Sequence, residues 1–300
     1  MFKIKSGTVF NFFNQTILIL LAVVLLYPLY FTVIASFSEP YEVVSGNVLF
    51  WLKGFSLTSY QEVFKNKDIW IGYRNGIMYT GLGTLLSLVI TIPAAYALSK
   101  KNLWKRNWIT TYFVITMYFS GGLLPTYLQV KSLGLINKPY TLIILGSLSV
   151  YNMVVARTYF QSSIPESLYE AAEIDGCSQF GQFFKIGLPL AKPIIAVITL
   201  YYAVGRWNEF FNSLVYTSNS KYFSLQMVLR NILLESQVAL TQIDSSSMDS
   251  EQLSYLMQRA YQAEAMKYSV IFISSLPMLI AYPFVQKHFV KGVMVGSVKG

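Results

Sequence analysis

Charge, cysteine and histidine are all scarce in this sequence. Charged residues make up 12% of its 300 residues and hydrophobic residues 54%, whereas soluble domains carry about 25% charged residues. The single cysteine, Cys177, excludes an internal disulfide. One cysteine and one histidine, His288, cannot complete a metal site, so we expect no metal and interpret His288 as a residue at a membrane interface. The scarcity of charge predicts a chain whose solvent is largely lipid.

Motifs for nucleotide binding and for catalysis are also missing. The sequence has no Gly-x4-Gly-Lys-Ser/Thr loop to cradle phosphates, and its one histidine, placed near the end of the chain, does not suit a Ser/His/Asp arrangement. We therefore expect no enzymatic activity and no cofactor in this chain. The net charge of +9 could indicate nucleic acid, but we assign it to loops held on the cytoplasmic side of a membrane.

Long apolar runs are what the sequence has instead. Each can cross a hydrocarbon core of about 30 Å as a helix, the structure that lipid requires because it offers no partner for backbone N–H and C=O groups. The alternative is a soluble protein with a very large core, and apolar runs of about 18 or more residues disfavour it. The sequence predicts an all-α membrane protein with a single transmembrane domain of six helices. The predicted spans are residues 16–36, 75–99, 107–130, 139–156, 193–216 and 268–286.

The charges of the loops predict the orientation. Basic residues crowd the short connection from Lys100 to Arg106, and short loops decide which side faces the cytoplasm. Both termini then lie in the cytoplasm, including the tail 287–300, while segments 37–74 and 217–267 lie outside. The outer segments are nearly balanced in charge and give no indication of an acidic substrate. The first span could be mistaken for a signal peptide, but its long apolar core favours a retained helix.

The inner connection at 163–189 is polar and prone to form a helix. Ser163 is predicted to cap a short helix that has Pro165 and Glu166 in its first turn. Gly176 is predicted to end that helix.

This connection resembles the coupling segment of the permease subunits of bacterial ABC importers. Their shared pattern is Glu-Ala-Ala, three residues, Gly, nine residues and Ile-x-Leu-Pro, and the sequence matches every fixed position. The matching residues are Glu170, Ala171, Ala172, Gly176, Ile186, Leu188 and Pro189. The resemblance implies the type I permease fold and a coupling helix, Asp175 included, that is seated in a groove of an ATPase subunit. The alternative is an ordinary amphipathic surface helix, which the downstream Ile-x-Leu-Pro disfavours.

Further motifs narrow the resemblance to carbohydrate permeases. These motifs are Gly122-Leu123-Leu124-Pro125-Thr126-Tyr127 and Trp207-Asn208-Glu209-Phe210. The resemblance covers nearly the whole chain and is strongest for the smaller, maltose-type permease of importers for complex oligosaccharides. It implies an oligosaccharide substrate, a second homologous permease, an extracellular solute-binding protein, and two ATPase subunits that carry ATP and Mg²⁺. It also implies a C-terminal tail along the ATPase dimer, formed by residues Gly296, Ser297, Val298, Lys299 and Gly300.

Arg206 and Glu209 are the only charges inside a predicted span. A charge at mid-membrane costs about 2.5–3.5 kcal/mol on insertion scales, so these side chains should face protein or water. Two interpretations stay open: they line a translocation path, or they form an i, i+3 pair near the outer end of the helix. Further candidates for the path are polar and aromatic side chains that can contact a sugar, namely Tyr118, Tyr151, Asn152, Tyr202, Trp207 and Asn208.

Two other transport functions compete with this interpretation. An ion-coupled secondary carrier needs carboxylates inside the membrane, and only Glu209 qualifies. Within the resembling family, a permease for an amino acid or a metal is the nearest alternative.

Overall fold

The computed structural model describes residues 6–241, 261 and 266–283. Within them the chain is helical and contains no strand, apart from an isolated antiparallel bridge between Ser38 and Phe55. The all-α prediction is therefore confirmed. In chain order the helices are α1 (Ser6–Ser36), α2 (Pro40–Val44), α3 (Thr58–Lys65), α4 (Lys67–Ser99), α5 (Arg106–Tyr118), α6 (Leu123–Ser132), α7 (Pro139–Ile144), α8 (Val150–Ser162), α9 (Glu166–Ile174), α10 (Gln179–Gln182), α11 (Leu188–Leu190), α12 (Lys192–Trp207), α13 (Phe211–Tyr216), α14 (Leu225–Thr241) and α15 (Met266–Pro283). The described chain also has a π-helical turn at Phe183–Gly187 and a 3-10 turn at Ser220–Tyr222.

Three of the described helices are long and apolar enough to cross a membrane unaided. They are Phe10–Ser36 within α1, the whole of α4, and α15. A fourth candidate is the pair Gln179–Leu190 and Lys192–Trp207, which is bent by 77°. Most large apolar side chains of α1 are exposed, and such a surface suits lipid or another membrane helix.

Two of the predicted spans are interrupted. The span 107–130 is divided into α5 and α6, and Gly122 in the break takes a φ of +85°. The span 139–156 is divided into α7 and α8, and Gly146 in that break takes a φ of +71°. A continuous helix in either place was the wrong expectation, because the positive φ at each glycine is incompatible with a right-handed helix and glycine adopts it at little cost.

The predicted span 193–216 is interrupted as well, between α12 and α13. Asn208 donates a side-chain hydrogen bond to the Val204 carbonyl oxygen (3.0 Å), and Glu209 Oε1 accepts one from the Asn212 backbone N–H (3.0 Å). The Val204 carbonyl oxygen also accepts the Asn208 backbone N–H (3.1 Å), whereas the Glu209 carboxylate satisfies an N–H in the first turn of α13 that has no helical partner. At membrane depth, irregular backbone is tolerated only where it is buried in protein or lines a cavity. The α7–α8 and α12–α13 breaks line a cavity of the second unit, whereas residues 119–122 of the α5–α6 break are exposed.

The chain divides into two compact units, which are Met1–Lys67 with Leu229–Ser275, and Asp68–Val228 with Leu276–Gly300. In the first unit, Ile34 and Ala35 of α1 are buried with Val43 and Val48 of the following segment. The hydroxyls of Ser36 and Tyr60 share a buried hydrogen bond of 2.8 Å. The end of α1 is thereby fixed to the segment that follows it.

The second unit contains a core built from α4, α8 and α12. These helices bury aliphatic and aromatic side chains against one another, and Tyr169 of α9 and Phe183 of the π-helical turn join the same cluster. The Tyr202 hydroxyl is hydrogen-bonded to Thr91 Oγ1 (2.7 Å) and accepts the Ser149 backbone N–H (2.9 Å). The segment that contains α9 therefore packs directly on the helices of the predicted spans.

The beginning of the predicted outer segment 217–267 is attached to α4. Asn75 Nδ2 donates to the carbonyl oxygens of Lys221 (2.8 Å) and Phe223 (2.9 Å), and the Tyr79 hydroxyl donates to that of Tyr222 (3.0 Å). Most of the remainder of this segment lies outside the described residues. The same holds for residues 284–300, which include His288, the end of the sixth predicted span and the tail residues Gly296, Ser297, Val298, Lys299 and Gly300.

Candidate functional site

Helix α9 coincides with the Glu-Ala-Ala part of the motif. It begins at Glu166 with Pro165 at its N-cap and no side-chain cap. The prediction that Ser163 caps this helix is therefore wrong, because the helix begins after Pro165 rather than before it. The predicted helix end at Gly176 is confirmed, since α9 ends at Ile174 and Gly176 takes a φ of +72°.

Tyr169 anchors α9 to the core of the second unit. Its buried ring packs edge-on against Tyr96 of α4, with 5.9 Å between ring centroids. The Lys100 ammonium lies 3.0 Å from the centroid of the Tyr169 ring, and Lys101 forms an ion pair with Glu166. Cation–π contacts of this kind contribute about 0.5–2 kcal/mol, depending on burial. The first turn and one buried face of α9 are thus attached to the end of α4.

Burial also shifts the acid–base properties of this junction. It raises the pKa of the Tyr169 hydroxyl to about 12. It lowers the pKa of the Lys100 ammonium, although the carboxylates of Glu166 and Glu173 act in the opposite direction. Both shifts follow from the cost of moving a charge out of water.

A cavity of about 1130 Å³ lies between α9 and the α4–α5 connection. Its lining includes basic, acidic and aromatic side chains, among them Arg106, Glu173 and Phe180. The hydroxyl oxygens of Tyr96 and Tyr169 are buried there and have no hydrogen-bond partner among the described residues.

The face of α9 opposite Tyr169 is exposed. The motif residues Glu170, Ala171, Asp175 and Gly176 are exposed, and Ala172 is half-buried. Two apolar side chains accompany them, because Ile174 is 88% exposed and Phe180 of α10 is 79% exposed. The sequence interpretation missed both. The available signal was an isoleucine four positions after Glu170, on the same face of an otherwise polar helix.

The second half of the motif returns the chain to the core. Gly187 is buried against Tyr96, and a Cβ at this position would lie 3.1 Å from Cε2 of that ring. The motif Ile-x-Leu-Pro specifies no residue type at position 187, yet the contact with Tyr96 favours glycine there. Its neighbours Ile186 and Leu188 are half-buried against the core, and Pro189 is exposed in the short helix α11. The motif therefore forms a short helical segment that is exposed on one side and packed against the core of the second unit on the other.

The candidate path residues divide into two groups. Asn152, Tyr202, Arg206, Trp207 and Glu209 line one cavity of about 280 Å³ in the second unit. Within this group Asn152, Tyr202 and Trp207 are buried, and Tyr202 is held by the hydrogen bonds given above. Tyr118, Tyr151 and Asn208 are exposed and are not part of the lining of this cavity.

Arg206 is held by neighbouring helices rather than by Glu209. Its Nη1 donates to the Leu142 carbonyl oxygen (2.8 Å) and its Nη2 to Ser87 Oγ (3.2 Å). The described ion pairs are Lys65–Glu62 and Lys101–Glu166, so Arg206 and Glu209 do not form one. The predicted i, i+3 pair is therefore absent as a direct contact, because both side chains are drawn to other partners.

The described residues contain no group of three or more His, Cys, Asp or Glu side chains placed to hold a metal ion.

Comparison with known proteins identifies the class. Residues 69–295 match the family described as binding-protein-dependent transport system inner membrane component. Protein LplC of Bacillus subtilis (strain 168) is 38% identical over 301 residues, which cover 100% of this chain and 98% of LplC. The polygalacturonan/rhamnogalacturonan transport system permease protein YtcP of the same organism is 36% identical over 298 residues, covering 98% of this chain and 100% of YtcP. A solved structure of a bacterial ABC transporter involved in the import of the acidic polysaccharide alginate is 31% identical with a TM-score of 0.84, covering 96% of this chain and 99% of that chain.

The chain belongs to the family of binding-protein-dependent transport system inner membrane components. Its fold is that of the permease subunit of an ABC importer. The family resemblance inferred from the Glu-Ala-Ala motif is confirmed, and the chain is a membrane transport subunit.

Proposed function

We propose that this chain is one of two homologous permease subunits of an ATP-driven importer for oligosaccharides. The observation that carries the proposal is the geometry of α9, where the motif residues are exposed on one face and Tyr169 anchors the other face to α4. The names of the relatives support a sugar polymer as the source of the substrate, since they include polygalacturonan, rhamnogalacturonan and alginate.

The coupling step is assigned to α9 and the turn that follows it. Glu170, Ala171 and Asp175, together with the exposed Ile174 and Phe180, form a mixed polar and apolar surface that suits a groove on an ATPase subunit. Small side chains at 171 and 172 allow close approach of the partner. The return through Ile186, Leu188 and Pro189 transmits its movement to the core helices. Two ATPase subunits would supply ATP and Mg²⁺, and the tail 296–300 would lie along their interface.

The remaining partners follow from the proposed topology. Both termini and α9 would lie in the cytoplasm, while segments 37–74 and 217–267 would face an extracellular solute-binding protein. Hydrolysis in the ATPase dimer would move α9, and the core helices would then expose the substrate path to alternate sides of the membrane.

Variants of the motif test the coupling role. Glu170→Lys reverses a charge on the exposed face, and Gly176→Pro forces a φ near −65° where the structure has +72°. We expect both proteins to insert and assemble normally, while sugar uptake per ATP hydrolysed falls at least about tenfold, or about 1.4 kcal/mol of coupling. Uptake and hydrolysis are measured in the same proteoliposomes.

Gly134→Pro is the matched control for Gly176→Pro. Gly134 takes a φ of +67°, and a Cβ added there, as at Gly176, would meet no atom within 4 Å. Its backbone N–H donates to the carbonyl oxygen three residues earlier, as that of Gly176 does. Normal uptake in both motif variants, or equal loss in the control, contradicts the coupling role. Uptake driven by an ion gradient without nucleotide would favour a secondary carrier instead.

A further inference from the structure

Two helix breaks meet at the 280 Å³ cavity of the second unit. The α7–α8 break contributes Leu145, Gly146 and Ser149, and the α12–α13 break contributes Glu209. Broken helices form substrate sites in several transporter folds because they place backbone polar groups at membrane depth. The volume is near the lower end of the range of about 300–1,000 Å³ for ligand pockets. It therefore suits one sugar unit rather than a whole oligosaccharide.

Arg206 and the carboxylate of Glu209 both line this cavity, but no direct ion pair joins them. An arginine has five N–H donors, and the described hydrogen bonds of Arg206 use two of its nitrogens, on neutral acceptors. Its Nε is buried against Gly83 of α4 and has no hydrogen-bond partner among the described residues, so the donors left for a ligand are the remaining N–H groups of Nη1 and Nη2. No described carboxylate lies within 4.0 Å of the guanidinium. A cation in such surroundings is stabilised when an anion binds beside it.

The other polar groups suit the hydroxyls of a sugar. Asn152, Asn212 and Ser149 line the cavity with neutral side chains. Tyr201 and Gly205 also line it and are exposed on α12, so the cavity opens on that face of the helix. A ligand with one carboxylate and several hydroxyls matches this combination better than a fully neutral sugar does.

We propose that Arg206 and this cavity form a binding site for the carboxylate of a uronic acid unit, so that the transported oligosaccharide is acidic. The site rests on the proposed function, because it assigns a substrate class to the translocation path of an oligosaccharide importer. Arg206 binds the carboxylate through a charge-assisted hydrogen bond, and the amide and hydroxyl side chains around it orient the ring.

The test uses two probes with the same sugar backbone, one with free carboxylates and one in which methyl esters remove the charge. The complete transporter, with its ATPase subunits and its binding protein, is reconstituted in proteoliposomes. Initial rates of ATP-dependent uptake are measured for trigalacturonate and for its methyl ester. Because one binding protein delivers the probes to every variant, a change in preference between variants reports on the permease.

Arg206→Gln removes the charge and keeps a polar side chain. We expect its kcat/KM for trigalacturonate to fall at least about tenfold, with the value for the methyl ester changed less than about twofold. Arg206→Lys keeps a positive charge and should retain part of the preference for the acid. Arg74→Gln is the control, since Arg74 is exposed on α4 and does not line the cavity.

Each remaining outcome overturns the site. Equal loss of both probes in Arg206→Gln, with normal assembly, shows a purely structural role for Arg206. If Arg206→Gln assembles poorly, Arg206→Lys decides the question instead. Equal uptake of both probes by Arg206→Lys would also show a purely structural role for Arg206. A wild-type transporter that imports only the ester also overturns the acidic assignment. A wild-type transporter that imports neither probe and no neutral oligosaccharide contradicts the proposed function as well.

Discussion

At the scale of single residues, the conformation of the Arg206 side chain depends on the absence of a side chain at Gly83. The side chain leaves α12 and passes over Gly83 of α4 to reach Leu142 and Ser87. A Cβ at position 83 would lie 2.6 Å from both Cδ and Nε of Arg206. These atoms belong to the middle of a side chain that is held at its far end, so it has little freedom to move away.

Gly83→Ala should therefore destabilise the protein. We expect a loss of about 1–3 kcal/mol, the usual cost of overpacking a filled site, seen as a lower midpoint of thermal unfolding in detergent. The control is Gly81→Ala on the same helix, where a Cβ would meet no atom within 4 Å. That change should be neutral or stabilise the helix by up to about 1 kcal/mol. Similar midpoints for the two variants would show that Arg206 does not occupy this space.

At the scale of helices, the attachment of α9 depends on one aromatic side chain. Helix α9 has nine residues, which is too short for a helix to be stable alone in water. Among its residues only Tyr169 is buried. The attachment of α9 to α4 therefore rests on the Tyr169 ring with Tyr96 and Lys100, and on the exposed ion pair of Lys101 with Glu166, which contributes little.

Tyr169→Ala should release α9 from the core. Loss of a large buried ring costs about 3 kcal/mol, and a local opening of this size speeds amide hydrogen exchange by roughly 100-fold. The measurement is hydrogen exchange of a peptide covering α9. Leu168→Ala, at a neighbouring exposed position, should leave the exchange rate nearly unchanged.

Removing only the hydroxyl of Tyr169 distinguishes the contribution of ring packing from that of a hydrogen bond. It has no described hydrogen-bond partner, so Tyr169→Phe should exchange at nearly the wild-type rate. Fast exchange in Tyr169→Phe would mean that a polar contact, and not the ring, holds the helix.

At the scale of the whole molecule, orientation in the membrane is the property that everything else depends on. Cys177 is the only cysteine of the chain and lies directly after Gly176, half-exposed between α9 and α10. A single thiol beside the proposed ATPase surface makes it possible to measure which side of the membrane that surface faces.

We expect a membrane-impermeant thiol reagent to label Cys177 in inside-out vesicles and not in intact cells. For the opposite side, Ser220→Cys is made in a Cys177→Ser background, since Ser220 is exposed in the predicted outer segment. That variant should be labelled in intact cells. Labelling of Cys177 from outside would reverse the proposed topology and place α9 out of reach of a cytoplasmic ATPase.

Features that depend on local sequence were predicted correctly, whereas interruptions within the long apolar runs were not. The all-α class, the position of α9 and its end at Gly176 were predictable, because they depend on composition, local periodicity and a motif within 20 residues. The three breaks were not predicted, although Gly122, Gly146 and Asn208 were visible as residues that favour helix ends. Hydropathy averages over a window and therefore joins helices on either side of a short break.

The sequence by itself determined the class of this protein, a helical membrane permease that contains the Glu-Ala-Ala motif, since apolar length and the motif are properties of neighbouring residues. Only the tertiary structure decided which candidate path residues meet. It brings Arg206 beside Ser87 and Leu142, 119 and 64 residues away along the chain, and buries Tyr202 and Trp207 while leaving Tyr118 and Tyr151 exposed. The physical reason is that the facing of a side chain inside a membrane protein is set by packing between helices, and no local pattern records which helices pack together.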